Sequence, residues 1–189
     1  MASIIKANEL QDFGGNSIIT SDGSGTITLS SGMNTAVAAG TNNTPYFYGE
    51  AASTTTITRS TATKVTGCTN NEVDSDSAFD GTTFTVPSGE GGKYYIELTL
   101  TGNFASAGQD GEEIRALLYK NGSSIKTARA RSSNSVTGVM RREAVTVSAI
   151  LNLSASDTIE LYAFLTDSSG NNGDYLSGET SIAGYKLIG

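Results

Sequence analysis

Acidic side chains in two loop-like segments are the residues whose types and spacing could bind a cation. The first segment carries Asp74 and Asp76, and the second carries Asp167 and Asp174 among serine, asparagine and glycine residues. Carboxylate oxygens at alternating positions of a flexible loop are ligands that Ca²⁺ takes. The second segment departs from the EF-hand pattern. Counted from Asp167, its twelfth position is Gly178, where an EF-hand has a bidentate glutamate. Ordinary turns use the same residue types, so calcium is a candidate here and turn formation is the alternative.

Catalytic chemistry has few residues to draw on. The sequence contains no histidine, which excludes Ser-His-Asp and Cys-His arrangements and zinc sites of the HExxH kind. The single cysteine, Cys68, is expected to be a small buried hydrophobe. A carboxylate pair for glycoside hydrolysis is the reaction that remains, but the sequence shows neither a repeat scaffold nor an aromatic sugar platform beside one. We therefore predict a protein that is not an enzyme and that needs no cofactor, with calcium as the exception to be tested.

Basic residues are concentrated in one part of an acidic chain. The formal net charge is −7 and the pI is near 4.5, which argues against a nucleic-acid partner. The basic segment runs from residue 115 to residue 142, and its candidate ligand patch consists of Lys126, Arg129, Arg131, Arg141 and Arg142. A solvated face balanced by nearby acids is one interpretation. A patch for an anionic glycan or for an acidic neighbouring subunit is the other.

Short strands must position these residues. Between residues 93 and 101, Tyr94, Ile96, Leu98 and Leu100 alternate with more polar residues, the pattern of a strand with one buried face. Asn121-Gly122 predicts a tight turn between strands at 113–120 and 123–131. No helical period is sustained elsewhere, and polar turns separate the runs. We predict an all-β protein, an antiparallel jelly-roll sandwich.

The strand predicted at 157–165 is apolar on both faces. Ile159, Leu161 and Leu165 alternate with Tyr162 and Phe164. A strand with two apolar faces is expected to be buried on both. The outer face then needs a cover, which could be another protomer, the N-terminal segment or a loop.

Three motifs carry a family resemblance. FDGTTFTVP at residues 79–87, GKYYIELTL at 92–100 and LYKNG at 118–122 resemble the centre of the C1q/tumour-necrosis-factor-like jelly roll. The resemblance implies a homotrimeric binding or structural module in which aromatic residues line the three-fold axis. On that basis the candidate trimer interface is Tyr95, Tyr162, Phe164 and Tyr185.

The first 42 residues differ from the remainder, and we divide the chain into 1–42, an N-terminal β-rich attachment segment and linker, and 43–189, the jelly-roll domain. Two strand-like runs at 17–20 and 26–29 flank the turn residues SDGSG. Two strands alone are marginally stable in water, so the segment needs a partner. Its candidate docking residues are Ile4, Ile5, Leu10, Ile18, Ile19, Ile27 and Leu29.

The same segment resembles the start of small virion proteins of tailed bacteriophages. The matching residues are Ile5, Lys6, Leu10, Gln11, Ser17, Ile18, 20–25 and 27–32. The resemblance implies a virion structural protein of the tail-fibre or receptor-binding type, with other virion proteins and host surface glycan as partners. The alternatives are a capsid decoration protein at three-fold positions and a cell-derived C1q-like glycan-binding protein.

The expected location follows from what the sequence lacks. The start has no signal-peptide pattern, and no apolar run is long enough to span a bilayer. We expect assembly in the host cytoplasm, incorporation into the virion and no membrane insertion. Contact with the host surface is expected through loops at 105–112, 132–139 and 167–177.

Overall fold

The computed structural model describes residues 9–24, 26–31, 43–104, 110–132 and 140–187. The chain divides into two compact units, residues 1–42 and residues 43–187. Among the described residues no helix is long and apolar enough to cross a membrane.

The smaller unit contains a three-stranded antiparallel sheet in the order β1–β2–β3. Its strands are β1 (Glu9–Gln11), β2 (Ser17–Ser21) and β3 (Ile27–Leu29). The turn between β2 and β3 is held by Asp22, whose carboxylate accepts the backbone N–H groups of Ser24 at 2.8 Å and Thr26 at 3.1 Å. These bonds, together with those from the Ser24 and Thr26 side chains, lower the pKa of Asp22 to about 2. The sequence predicted the β2–β3 hairpin but not β1.

The larger unit is built from two antiparallel sheets. One is five-stranded, with the order β11–β10–β13–β6 and with β8 also pairing with β13. Its strands are β6 (Thr63–Lys64), β8 (Thr83–Thr85), β10 (Gly111–Lys120), β11 (Ser123–Arg131) and β13 (Thr158–Asp167). The β10–β11 hairpin turns at Asn121 and Gly122, whose φ angles of 50° and 74° are left-handed, as the Asn-Gly prediction requires.

The second sheet is seven-stranded, with the order β5–β14–β9–β15–β4–β7 and with β12 pairing with the other edge of β9. Its strands are β4 (Tyr46–Glu50), β5 (Thr55–Ile57), β7 (Asn70–Asp74), β9 (Gly92–Asn103), β12 (Arg142–Leu153), β14 (Gly173–Tyr175) and β15 (Ser181–Lys186). The strands β7 and β14 were not predicted, because both are short and lie within the segments considered as acidic loops.

The core lies between the two sheets. The alternating residues of β9, namely Tyr94, Ile96, Leu98 and Leu100, are all 0 % exposed, as the period-two pattern predicted. The inner face of β13 meets them with Ile159, Leu161, Ala163 and Leu165. Phe47, Phe79 and Phe84 form an aromatic group at one end of this core, in which the rings of Phe47 and Phe84 stack 4.1 Å apart and Phe79 is tilted against Phe47. The two-sheet antiparallel sandwich predicted from sequence is confirmed.

Gly49 shows how closely β4 approaches its neighbours. A Cβ atom on Gly49 would lie 2.2 Å from the carbonyl oxygen of Cys68 and 2.8 Å from a ring carbon of Phe79. A backbone carbonyl cannot rotate away as a side chain can, so strands would have to shift. Overpacking of this kind costs about 1–3 kcal/mol.

We therefore expect Gly49→Ala to lower the midpoint of thermal unfolding by about 5–10 °C in a domain of this size. Gly91→Ala is the matched control, because its Cβ would meet only ordinary contacts, the nearest being the carbonyl oxygen of Leu153 at 3.5 Å. Circular dichroism melting curves of the two variants make the comparison. Equal midpoints for both variants would show that β4 can move aside at no cost.

Candidate functional site on the outer faces of the sandwich

The acidic candidates for calcium already bind groups of the protein. The carboxylate of Asp167 is 0 % exposed and accepts backbone N–H groups from Asp110 and, at 3.0 Å, from Asn171. Asp74 accepts the backbone N–H groups of Asp76 at 3.2 Å and Phe79 at 2.8 Å. Carboxylates used in this way close loops.

Asp174 lies in strand β14 and accepts the hydroxyl of Thr56 at 2.6 Å, while Asp76 accepts the hydroxyl of Ser75. In the part of the chain that the structure describes, no three acidic or cysteine side chains lie close enough to hold a metal ion together. The four candidates are therefore found as turn and strand residues that bond within the protein.

Cys68 lies in the core and is 1 % exposed. Burial raises the pKa of its thiol to about 11. A reactive cysteine needs a lowered pKa and access to solvent, so Cys68 packs as a small apolar side chain.

The five basic residues predicted as a ligand patch do not come together on one face. Arg129 and Arg131 lie on the outer face of the five-stranded sheet, in β11. They are in register with Arg115 and Glu113 of the neighbouring strand β10. Lys126 has the opposite parity on β11, and its ammonium group donates to the carbonyl of Ser148 at 2.7 Å.

The two remaining arginines of that set lie at the start of β12 in the other sheet, Arg141 just before the strand and Arg142 as its first residue. The Arg141 guanidinium donates to the carbonyl of Phe104 at 3.3 Å, and Arg142 in β12 pairs with Glu179. The predicted patch thus divides into an arginine pair on one sheet and separate cations elsewhere.

Glu113 organises the arginine pair. Its side chain is 2 % exposed and binds the Arg115 guanidinium at 2.6 Å, while Arg131 and Arg129 approach its other oxygen at 3.6 and 3.7 Å. The hydrogen bond from Arg115, with the three positive charges, lowers the pKa of Glu113 against the opposing effect of burial. We call Glu113, Arg115, Arg129 and Arg131 the arginine cluster; it carries three positive charges and one negative charge.

Aromatic side chains continue from the arginine cluster along the same face. The Arg115 guanidinium lies 4.4 Å from the centre of the Phe164 ring, a cation–π geometry. Next along β13, the Tyr162 ring stacks on Tyr119 of β10, with centroids 3.9 Å apart and planes 20° apart. Tyr162 and Phe164, the apolar residues on the outer face of β13, are thus each half-buried against a side chain of the neighbouring strand β10.

The outer face of the seven-stranded sheet carries a different feature. Residues in direct register on four neighbouring strands, β12, β9, β15 and β4, form one apolar row: Ile150, Tyr95, Tyr185 and Tyr46. Three of them are large exposed hydrophobic side chains, with Ile150 66 %, Tyr46 43 % and Tyr185 39 % exposed. The rings of Tyr95 and Tyr185 lie 5.5 Å apart. We call these four residues the aromatic row.

Polar partners flank the aromatic row. The Tyr95 hydroxyl donates to Glu97 at 2.7 Å, and this bond to a carboxylate raises the Tyr95 pKa. In the adjacent row, burial and a hydrogen bond to Glu50 raise the pKa of Tyr48 to about 12. Beside Tyr48, Val73 of edge strand β7 is 50 % exposed. The side of the row that carries Tyr48 and Val73 therefore also carries the carboxylates of Glu97 and Glu50.

The candidate trimer-interface residues fall on both sheets. Tyr95 and Tyr185 lie in the aromatic row, whereas Tyr162 and Phe164 lie on the five-stranded sheet. Because the two sheets pack core to core, their outer faces point in opposite directions. One continuous surface cannot include all four residues of a single protomer.

The candidate docking residues belong to the smaller unit. Ile4 and Ile5 lie outside the described residues. Register places Leu10, Ile19 and Leu29 on one face across all three strands, with Ile27 on the same face. Ile18 lies on the opposite face, beside Thr20 and Thr28.

The loops named for host contact are described only in part. Residues 105–109 and 133–139 lie outside the described residues, whereas Asp110 and the segment 167–177 are described. That segment includes β14 and the loop closed by Asp167, so it is more ordered by internal hydrogen bonds than its composition indicates.

Solved structures resemble the chain in fold. The globular domain of zebrafish complement 1qA protein aligns with a TM-score of 0.50 and 16 % identity, over 76 % of this chain and 97 % of that chain. Eiger TNF from S. frugiperda aligns with a TM-score of 0.52 and 11 % identity, over 76 % and 90 %. Murine APRIL at pH 8.0 aligns with a TM-score of 0.52 and 12 % identity, over 76 % and 98 %.

These likenesses establish an all-β antiparallel sandwich that resembles the C1q/TNF fold, with a small three-stranded sheet before it. In sequence, no protein-family model and no curated protein matches the chain.

Proposed function

We propose that this chain is a non-enzymatic structural protein of a tailed-bacteriophage virion, a homotrimer of the tail-fibre or receptor-binding type. The unit at residues 1–42 docks on other virion proteins, and the jelly-roll head contacts the host surface. The exposed aromatic row is the observation that carries the trimeric part. Folds of the C1q/TNF type are typically non-enzymatic binding modules, and the opening of the chain resembles that of phage virion proteins.

The aromatic row supports association with identical copies. Contiguous exposed apolar side chains on an otherwise polar surface mark interaction sites, and aromatic residues are enriched in the centres of protein interfaces. Four strands separated by about 4.8 Å give the row a length of roughly 14 Å. A row of this length, with Tyr48 and Val73 beside it, is suited to the apolar centre of an interface. We accordingly assign the three-fold seam to the seven-stranded sheet.

The smaller unit supports docking on a partner. Its described residues are all exposed or half-buried, with none buried, and Leu10, Phe13 and Ile27 are 56 %, 111 % and 66 % exposed. A small sheet without a buried core gains little stability of its own, whereas its apolar face would be covered in a complex. The same unit would serve a capsid decoration protein, our second candidate, for which the shortness of this segment is the favouring observation.

Removal of residues 1–42 tests the docking role. We expect the truncated chain to remain a folded trimer in solution and to lose its association with virions during sedimentation. A sharper comparison replaces Ile27 with aspartate on the apolar face of the small sheet. Its control replaces the neighbouring Thr28 with aspartate on the opposite face, which adds the same charge at another exposed position of β3.

We expect the apolar-face variant to be absent from sedimented particles and the control to be retained. Electron microscopy of particles carrying labelled wild-type protein then separates tail from capsid. Retention of the truncated chain on particles would contradict the docking role, and failure of the full-length chain to join particles would contradict the virion assignment.

A further inference from the structure

We propose that the outer face of the five-stranded sheet binds an acidic polysaccharide, with Arg129 and Arg131 pairing its carboxylate or sulfate groups and Tyr119 and Tyr162 packing against an adjacent sugar ring. The inference rests on the proposed function, since it assigns the surface and ligand class of the head's host contact.

The arginine cluster carries more positive charge than its one carboxylate balances. Four other described cations have an acidic partner each: Lys64 with Glu160, Lys120 with Asp157, Arg142 with Glu179 and Lys186 with Glu90. In the arginine cluster three guanidinium groups share the single carboxylate of Glu113. A local excess of positive charge therefore persists on a chain whose net charge is −7.

The geometry leaves two of those guanidinium groups available to a ligand. Arg129 and Arg131 approach Glu113 at 3.7 and 3.6 Å, beyond hydrogen-bond distance, and their side chains are 61 % and 62 % exposed. Glu113 and Arg115 are bound to each other and hold the centre of the cluster. The planar fork of arginine suits bidentate pairing with carboxylate or sulfate, and neither arginine of the exposed pair is hydrogen-bonded to Glu113.

The neighbouring aromatic side chains distinguish a sugar from a simple anion. Tyr162 pairs with Leu117 and stacks on Tyr119, one row along the sheet from Arg115 and Phe164. Two rows of one face are about 7 Å apart. A polymer lying along β10 would then place its charged groups on the arginines and the apolar face of a ring on the tyrosine pair, which is half-exposed.

The position of this face agrees with the proposed trimer. The aromatic row and the arginine cluster lie on opposite outer faces of the sandwich. A central seam on the seven-stranded sheet is compatible with a five-stranded face that stays open to solvent. Cations on an edge strand such as β11 also discourage edge-to-edge association, and this simpler role is an outcome of the test.

Binding of the intact trimer to polygalacturonate, heparin and neutral dextran tests the proposal, measured by biolayer interferometry at low salt. We expect both acidic polymers to bind and dextran not to bind. The double variant Arg129→Gln/Arg131→Gln should weaken binding at least tenfold. The control Lys93→Gln/Lys126→Gln removes the same charge from elsewhere and should change binding less than twofold.

A second arm uses poly-L-glutamate and the variant Tyr119→Ser. We expect this variant to weaken polygalacturonate binding severalfold while leaving poly-L-glutamate binding unchanged. If the arginine and lysine variants lose polymer binding equally, the binding depends only on net charge and the proposal is wrong. If the wild type does not bind either acidic polymer, the arginines serve only to prevent edge-to-edge association of β11. Tighter binding of poly-L-glutamate than of either polysaccharide, insensitive to Tyr119→Ser, would point to an acidic protein. Solution mass and particle association, measured on the same variants, show separately whether the proposed function stands.

Discussion

Replacing Ile150 and Tyr185 with aspartate is expected to convert the proposed trimer into folded monomers. Both residues lie in the aromatic row, and both are exposed in the single protomer, Ile150 by 66 % and Tyr185 by 39 %. In a monomer the new carboxylates would remain in water at little cost. In a trimer they would be buried within an apolar seam, where an unpaired charge is strongly unfavourable.

The magnitude follows from symmetry. A loss of about 2–3 kcal/mol at each of three equivalent contacts gives roughly 6–9 kcal/mol for the trimer. Because each 1.4 kcal/mol changes an equilibrium constant tenfold, the association constant falls by about four to six orders of magnitude. Light scattering should then report the monomer mass at micromolar concentration, while circular dichroism should remain that of the wild type.

Tyr162→Ser provides the control on the other sheet. Tyr162 is a half-buried aromatic residue like Tyr95, but it stacks on Tyr119 of its own chain. We expect this variant to stay trimeric. A monomeric Tyr162→Ser together with a trimeric Ile150→Asp/Tyr185→Asp would move the seam to the five-stranded sheet and would also cover the proposed polysaccharide face. A wild-type chain that is itself a monomer would remove the seam altogether.

The alternation of apolar residues explains why the fold could be predicted. Tyr94, Ile96, Leu98 and Leu100 are spaced so that only a strand buries all of them, and each is 0 % exposed. The Asn121-Gly122 turn sets the pairing of β10 with β11 next to the turn in the same local way, but a register shift between Leu118 and Tyr119 changes the pairing beyond it. Short polar strands escaped prediction because their pairing partners supply the stabilisation. Asn70–Asp74 has the burial pattern of an exposed edge and is defined by its bonds to β4.

The candidate sites were less predictable, since register across strands decides which side chains meet. The sequence grouped Lys126 with Arg129 and Arg131, but residues of opposite parity on one strand face opposite sides. The sequence does not indicate that Glu113 is buried, because two adjacent acidic residues are typical of an exposed position. Its burial is explained by three arginines from two strands, whose charges compensate its carboxylate. Ile150 and Tyr46 belong to the aromatic row because β12 pairs with β9 and β4 pairs with β15, and these strands are far apart in sequence. The sequence signal that could have identified them is an apolar residue at an outward-facing position of an alternating strand.

Glu113→Gln is expected to give the second large effect, a loss of about 2–4 kcal/mol in the free energy of unfolding. Removing one partner of a buried ion pair costs about 3–5 kcal/mol. Here Glu113 is buried but Arg115, Arg129 and Arg131 are 34 %, 61 % and 62 % exposed, so water compensates part of the repulsion among them. The midpoint of thermal unfolding should fall by about 5–15 °C. Glu112→Gln, on the adjacent exposed residue of β10, removes the same charge and should shift the midpoint by less than 2 °C or so.

The pH dependence of stability identifies the cause of that loss. The arginines depress the pKa of Glu113 in the folded protein, so its contribution is complete above the unfolded value of about 4.3 and is lost as the pH falls through the lower folded value. The unfolding curves of wild type and Glu113→Gln should therefore differ at pH 7 and converge in acid. Replacing the pair together, as Glu113→Leu/Arg115→Met, should recover much of the stability, because two packed apolar side chains need no charge compensation. A difference between wild type and Glu113→Gln that is the same at pH 7 and in acid would mean that the loss does not come from the charge of Glu113, since glutamine keeps nearly the same shape.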